Sequence, residues 1–149
     1  MKYEEVPNIE EINKHGSNIY GDIVSLPLST RIGAFCDIGG ANFGENCKIE
    51  TMVSIPPGWK IGNNVFIGPG ARFANDRHPN LKEEFNPEEG IIEDDVVIGM
   101  GALILPCKIG KGAIIGAGSV VLHDVLEGAT VVGNPARQIY KGKDYEQHI

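Results

Sequence analysis

Basic residues, cysteines and long apolar runs are all scarce in this chain. Its 149 residues carry 13 Lys and Arg against 20 Asp and Glu, a formal charge of −7. That balance argues against a nucleic-acid partner, which requires a basic footprint. It leaves room for a local basic site facing a phosphate-bearing ligand. Cysteine occurs three times, an odd number without the spacing of a metal site. The three read as buried free thiols of a reducing cytoplasm, not as nucleophiles. No stretch approaches the roughly 18 apolar residues of a membrane span, so no membrane partner is expected. The opening MKYEEVPNIEEINKHG is too acidic and polar for a signal peptide.

What the chain does have is a six-residue beat. Apolar residues stand at Leu26, Ile32, Ile38, Phe43, Ile49, Ile55, Ile61, Ile67 and Phe73, and again from Ile92 through Ile98, Ile104, Ile109 and Ile115 to Val121. A helix would repeat every 3.6 residues and a simple strand every two. Six suits a short strand, a corner and a repeat. Glycine follows many of the beats, for example at 33, 62, 99 and 116, where corners need conformations that β-branched residues resist. Two residues before each beat stands a small or β-branched residue, Trp59 being the exception. Three steps close a triangular coil of about 18 residues, and the fifteen beats give five turns stacked at roughly 4.8 Å. Trp59, too large for an inner slot, is expected to point outward, into a subunit contact or against a nucleotide base, with the interface the preferred reading.

The runs IGNNVFIGPGARF (61–73) and VVIGMGALILPCKIGKGAIIGAGSVV (96–121) resemble the hexapeptide repeat of the left-handed parallel β-helix acyltransferases. The resemblance covers about residues 20–140. It implies an all-β fold in a single domain, 1–149. Residues 1–20 would be an N-terminal cap and 21–133 the β-helix. A projecting loop would span 74–91, and a C-terminal tail, 134–149, would form a short helix. The left hand comes from the resemblance, since connections between parallel strands are otherwise right-handed.

Between Phe73 and Ile92 the beat stops, in a stretch dominated by polar and charged residues. A loop of this length in a compact repeat is usually functional or disordered, and solenoid insertions often build the binding face. The segment Phe73-Ala74-Asn75-Asp76-Arg77-His78-Pro79 resembles the F-x-N-D-x-x-P signature of acetyltransferases acting on nucleotide-linked amino sugars. Its His78-Pro79 pair is also similar to that of the maltose and galactoside O-acetyltransferases. Histidine suits proton transfer near neutral pH, which makes His78 the candidate base. The Asn75 amide oxygen can accept a hydrogen bond from a substrate amine, and Asp76 can orient His78 or attract an ammonium. Asx-type turns are the structural alternative for both. His15, His123 and His148 read as surface residues.

The tail Val132-Gly133-Asn134-Pro135-Ala136-Arg137 resembles the G-N-P-A-[KR] segment that closes the coenzyme A site in this family. The resemblance implies acetyl-CoA as co-substrate, with Gly99, Ala117, Gly118, Ser119, Asn134, Pro135 and Arg137 around it. Arg137, and with it Lys141, would face phosphates. It also implies a homotrimer with sites between adjacent prisms. The expected activity is direct N-acetylation of a nucleotide-linked amino sugar. O-acetylation of a free sugar and a non-enzymatic β-helix scaffold are the alternatives. No metal is expected, because the γ-class carbonic anhydrases of this fold need three zinc-binding histidines. Within the repeat, 26–121, only His78 is present.

Overall fold

The structure is a computed structural model that describes Ile12 and residues 15–139. Its strands are two or three residues long, because each straight segment holds one beat between two corners. The first coil runs through β1 (Asn18–Tyr20) and β2 (Arg31–Ile32), and the second through β3 (Asp37–Gly39) and β4 (Lys48–Ile49). The third contains β5 (Ser54–Ile55), β6 (Trp59–Ile61) and β7 (Phe66–Ile67). The fourth contains β8 (Arg72–Phe73), β9 (Gly90–Ile92) and β10 (Val97–Ile98), with the loop between β8 and β9. The fifth has β11 (Leu103–Ile104), β12 (Lys108–Ile109) and β13 (Ile114–Ile115). The sixth has β14 (Val120–Val121) and β15 (Thr130–Val132), after which the chain turns into β16 (Arg137–Ile139).

Strands one coil apart pair in parallel, giving a left-handed three-faced β-helix. Face one is β1-β3-β5-β8-β11-β14. Face two is β6-β9-β12, extended by bridges at Ser25–Asn42, Phe43–Ile61 and Ile109–Val125. Face three is β2-β4-β7-β10-β13-β15, with β16 antiparallel on β15. The apolar beats fill the interior: all are buried except the half-buried Ile32. The smaller residues two positions earlier are buried too, apart from the exposed Val24.

Three expectations need correction. There are six turns and not five, because Ile19, Val125 and Val131 are further buried beats. Their steps of seven (Ile19 to Leu26) and four (Val121 to Val125) hide them from a six-residue count. Residues 137–139 are a strand and not part of a helix. After the turn at 133–136, Arg137, Gln138 and Ile139 pair with Val132, Val131 and Thr130, which satisfies the outer edge of the last coil. The remainder of the expected helix lies outside the described residues, as do Lys141, His148 and most of the expected N-terminal cap. Finally, Trp59 points inward and is 3% exposed. Its slot is wide because its column neighbours are the two smallest available, Ala41 below and Gly90 above. A Cβ on Gly90 would lie 2.5 Å from the indole ring. Phe73 packs edge-on to that ring, with centroids 4.9 Å apart.

The step lengths also explain the two five-residue steps. From face two to face three, and from face three to face one, every step between beats is six residues. From face one to face two the steps are 7, 5, 6, 19, 5 and 4. At the two regular edges, corner backbone groups hydrogen-bond from coil to coil. Gly70, Gly101 and Gly118 N–H donate to Thr51, Pro69 and Met100 on one edge, and Asn64, Asp95 and Gly112 to Glu45, Asn63 and Asp94 on the other. Such ladders require identical corners. The third edge has no repeated ladder among the described residues, and the long loop is the extreme of its freedom.

Candidate functional site

The loop leaves the prism at that irregular edge and is fastened at both roots. The Ala74 carbonyl accepts from the Trp59 indole N–H at 2.9 Å, so the buried ring also fixes the loop's first residue. Asn75 Nδ2 donates to the Pro57 carbonyl at 2.9 Å, and the Asn75 carbonyl accepts from Glu88 N–H at 2.8 Å. With Nδ2 held by the coil beneath, Oδ1 is the side-chain atom of Asn75 without a hydrogen bond among the described residues. The Asp76 carboxylate accepts the His78 N–H at 2.8 Å in a local turn. Arg77 is clamped: its N–H donates to Glu88 Oε1 at 2.7 Å, its Nε lies 3.8 Å from Glu88 Oε2, and its guanidinium donates to the Pro106 carbonyl one coil above.

His78 is exposed, and its side chain lines a concavity with Asp76, Pro79, Glu83, Glu84 and Phe85. Among the described residues no lysine or arginine lines this concavity. Of the three predicted catalytic residues, Asp76 and His78 thus share the concavity, while Asn75, at the loop root on the same edge between faces one and two, does not line it. His15 and His123 are exposed, and His123 follows the same edge in the last coil.

The predicted cofactor residues gather on a different edge, between faces three and one. Here Gly68, Gly99 and Gly116 stack so closely that a Cβ on Gly99 would meet the Ala117 nitrogen at 2.4 Å. Beside them Gly70, Gly101 and Gly118 adopt left-handed φ of 71°, 69° and 67°, with nothing within 4 Å of where a Cβ would stand. The result is a side-chain-free glycine strip, or trough, three coils tall and open to solvent, with Met52 below it and the 133–136 turn above, which includes a cis Asn134–Pro135 bond. Asn134, Pro135 and Arg137 are exposed at its top. Ser119 departs from the expectation of ligand contact. It is fully buried, and its Oγ accepts the Gly133 N–H at 3.2 Å, so it supports the turn that carries Asn134 and Pro135.

Face one separates the two edges, so a single chain does not join the Asn75-Asp76-His78 group to the glycine trough. The cysteines take no part: Cys36, Cys47 and Cys107 are buried. Burial pushes their thiols up, Cys107 to about 12. Among the described residues no group of three or more His, Cys, Asp and Glu could hold a metal ion, and no helix is long and apolar enough to cross a membrane. Sequence reading missed the Arg77–Glu88 clamp and the inward Trp59. Opposite charges at the two roots of the loop, and the single large residue one coil from the single glycine of the small register, were the available signals.

A family description, hexapeptide repeat of succinyl-transferase, matches residues 91–123. The bifunctional protein GlmU of Bartonella bacilliformis is 39% identical over 117 residues, which cover 78% of this chain and 24% of that protein. A hexapeptide-repeat acetyltransferase of Vibrio cholerae, solved with acetyl coenzyme A, superposes with a TM-score of 0.61 at 24% identity. The match covers 82% of this chain and 69% of that one. Soybean serine acetyltransferase, solved with serine, gives 0.53 at 38% identity over 74% of this chain and 40% of its own. The chain spans less than two thirds of the length of the curated relatives it matches.

Proposed function

The chain belongs to the hexapeptide-repeat acetyltransferase family, and on that premise we propose that it transfers the acetyl group of acetyl-CoA to the amine of a nucleotide-linked amino sugar. The observation that carries this reading is the lining of the loop concavity. Among the described residues, His78 shares it with Asp76, Glu83 and Glu84 and with no cationic side chain. Such a lining suits the cationic amine end of an acceptor and leaves the nucleotide phosphates outside it. The acceptor amine, once neutral, attacks the thioester carbonyl carbon. The C–N bond forms, the C–S bond breaks, and the thiolate of coenzyme A leaves. His78 takes the proton that the nitrogen sheds, and Asn75 Oδ1 orients the amine through its remaining N–H.

Acetyl-CoA lies along the glycine trough in this reading, with Asn134, Pro135 and Arg137 at its nucleotide end. The trough and the loop occupy different edges of one prism. A complete site therefore places the trough of one chain against the loop of a second, which a threefold assembly does for all three copies at once.

The test is an acceptor panel. The protein is incubated with acetyl-CoA and with UDP-glucosamine, UDP-galactosamine, glucosamine, glucose or maltose, and free thiol release is followed. We expect turnover with amines above that with alcohols, and a fall of about 10²-fold or more in kcat for His78→Ala. Wild-type kcat for His78→Ala between pH 6 and 8 refutes the base assignment. Preference for glucose or maltose moves the reading to O-acetylation. No thermal shift at millimolar acetyl-CoA favours a scaffold. A monomeric mass by light scattering with full activity rules out a site shared between chains.

A further inference from the structure

We propose that Arg77, acting with Glu88, is the positioning residue that holds His78 and Asp76 toward the acceptor. The inference rests on the reading of His78 as the base. Asp76 and His78 both line the loop concavity, but Arg77 between them does not. Its guanidinium turns to the prism and donates to the Pro106 carbonyl of the fifth coil. Its own N–H and its Nε both meet the Glu88 carboxylate, at 2.7 and 3.8 Å, on the returning limb of the loop. Glu88 N–H in turn donates to the Asn75 carbonyl at 2.8 Å. Arg77 thus ties the outgoing limb, the returning limb and the coil above into one unit.

The need for such a tie follows from what holds His78. Among the described residues, His78 is held by one hydrogen bond, donated by its backbone N–H to Asp76, and its imidazole makes none. The ring is therefore placed by the backbone beneath it, and Arg77 is the adjacent residue anchored to the prism. Its side chain is 25% exposed, against 42% for Glu88, so the ion pair is partly shielded from solvent. A fork-shaped donor can serve a carbonyl and a carboxylate together, which a lysine ammonium on a flexible stem does less well. A misplacement of about 1 Å at a reacting group lowers turnover by about 10²-fold.

The experiment compares Arg77→Ala, Arg77→Lys, Glu88→Ala and the Arg77→Ala/Glu88→Ala pair with wild type, using the acceptor of the panel that turns over fastest. We expect kcat to fall by about 10²-fold in Arg77→Ala. KM for acetyl-CoA should stay within twofold, because Arg77 and Glu88 bind the loop to its own prism and are not among the residues placed around acetyl-CoA. Arg77→Lys should recover part of the loss, and the double variant should be no worse than Arg77→Ala alone. The acid limb of kcat/KM should stay at the wild-type pH in Arg77→Ala, since the base is displaced and not removed. Independently of activity, trypsin should cut after Lys82 faster in Arg77→Ala than in wild type. Wild-type kcat in Arg77→Ala overturns the proposal, as does a loss fully accounted for by unfolded protein in circular dichroism. Additive losses in the double variant also overturn it. If His78→Ala is unimpaired, the functional reading itself has failed. If His78→Ala is impaired and Arg77→Ala is not, only this inference has.

Discussion

The pairing of Trp59 with Gly90 predicts a compensating pair of mutations. Gly90→Val introduces a Cβ that would lie 2.5 Å from Trp59 Cδ2 and Cε3, against an ordinary separation of about 3.5–4.0 Å. Either the indole moves by about 1 Å or β9 does. The ring cannot move freely, since Phe73 packs on it and its N–H is held 2.9 Å from the Ala74 carbonyl. Overpacking of this kind destabilises by about 1–3 kcal/mol, and the lost hydrogen bond adds about 1 kcal/mol. For a chain of this size each kcal/mol lowers Tm by about 2–4 °C, so the fall is on the order of 5–15 °C. Trp59→Val alone empties the slot and costs about 3 kcal/mol or more. Combining the two restores the valine-sized filling seen at Val53, Val65 and Val96, which are buried in the same register. The double variant should therefore be more stable than the sum of the single losses implies, by about 2 kcal/mol in a thermal or urea double-mutant cycle. Strict additivity would refute the argument that the two positions share one space.

Other outcomes follow from the corners and the core. Gly99→Ala sets a Cβ 2.4 Å from the Ala117 nitrogen, a backbone atom that cannot yield, and should lower stability by about 1–3 kcal/mol in urea titration. Gly118→Ala meets nothing within 4 Å but bears left-handed strain at φ +67°, about 1–2 kcal/mol; if acetyl-CoA lies in the trough it should also raise KM for acetyl-CoA, and an unchanged KM would place the ligand elsewhere. The buried thiols give a pH dependence of definite sign. Burial holds Cys36, Cys47 and Cys107 protonated in the folded state, Cys107 up to about 12. Only the unfolded chain ionises as pH passes roughly 8.5. Stability is therefore kept below that pH and lost above it, by up to about 1.4 kcal/mol per pH unit and thiol. Urea midpoints should fall between pH 7.5 and 9.5, less so in Cys107→Ala, and equal midpoints would exclude the effect.

Most of the fold was legible because its rule is local and repeated. A six-residue beat with a small residue two positions earlier states which side chains are inside, and Ile38, Ile67 and Ile98 are buried as it requires. The reading lost Ile19, Val125 and Val131 where the step length changed. It misread Trp59 because the space for that ring is made by Gly90, 31 positions away. Likewise, the strand at 137–139 depends on an edge partner, Thr130–Val132, that becomes available only once the last coil is in place.

The candidate site divides along the same physical line. Residues of the glycine trough sit on an edge whose corners are locked by coil-to-coil hydrogen bonds, so their place follows from the repeat alone. The loop residues sit on the one edge where no ladder dictates length. Composition could mark Asn75, Asp76 and His78 as chemically able, but only the folded chain shows that Asn75 is tied to Pro57 and that Arg77 grips Pro106. The freedom of that edge is also what makes it usable. The step of 19 residues from Phe73 to Ile92, 13 more than the regular six, leaves the Ile61 to Ile92 pairing intact, because the chain returns to face two in register. An equal insertion at either regular edge would break a ladder in the coils above and below. Chemistry is therefore expected where the repeat is least strict, and in this chain the irregular edge carries the exposed His78.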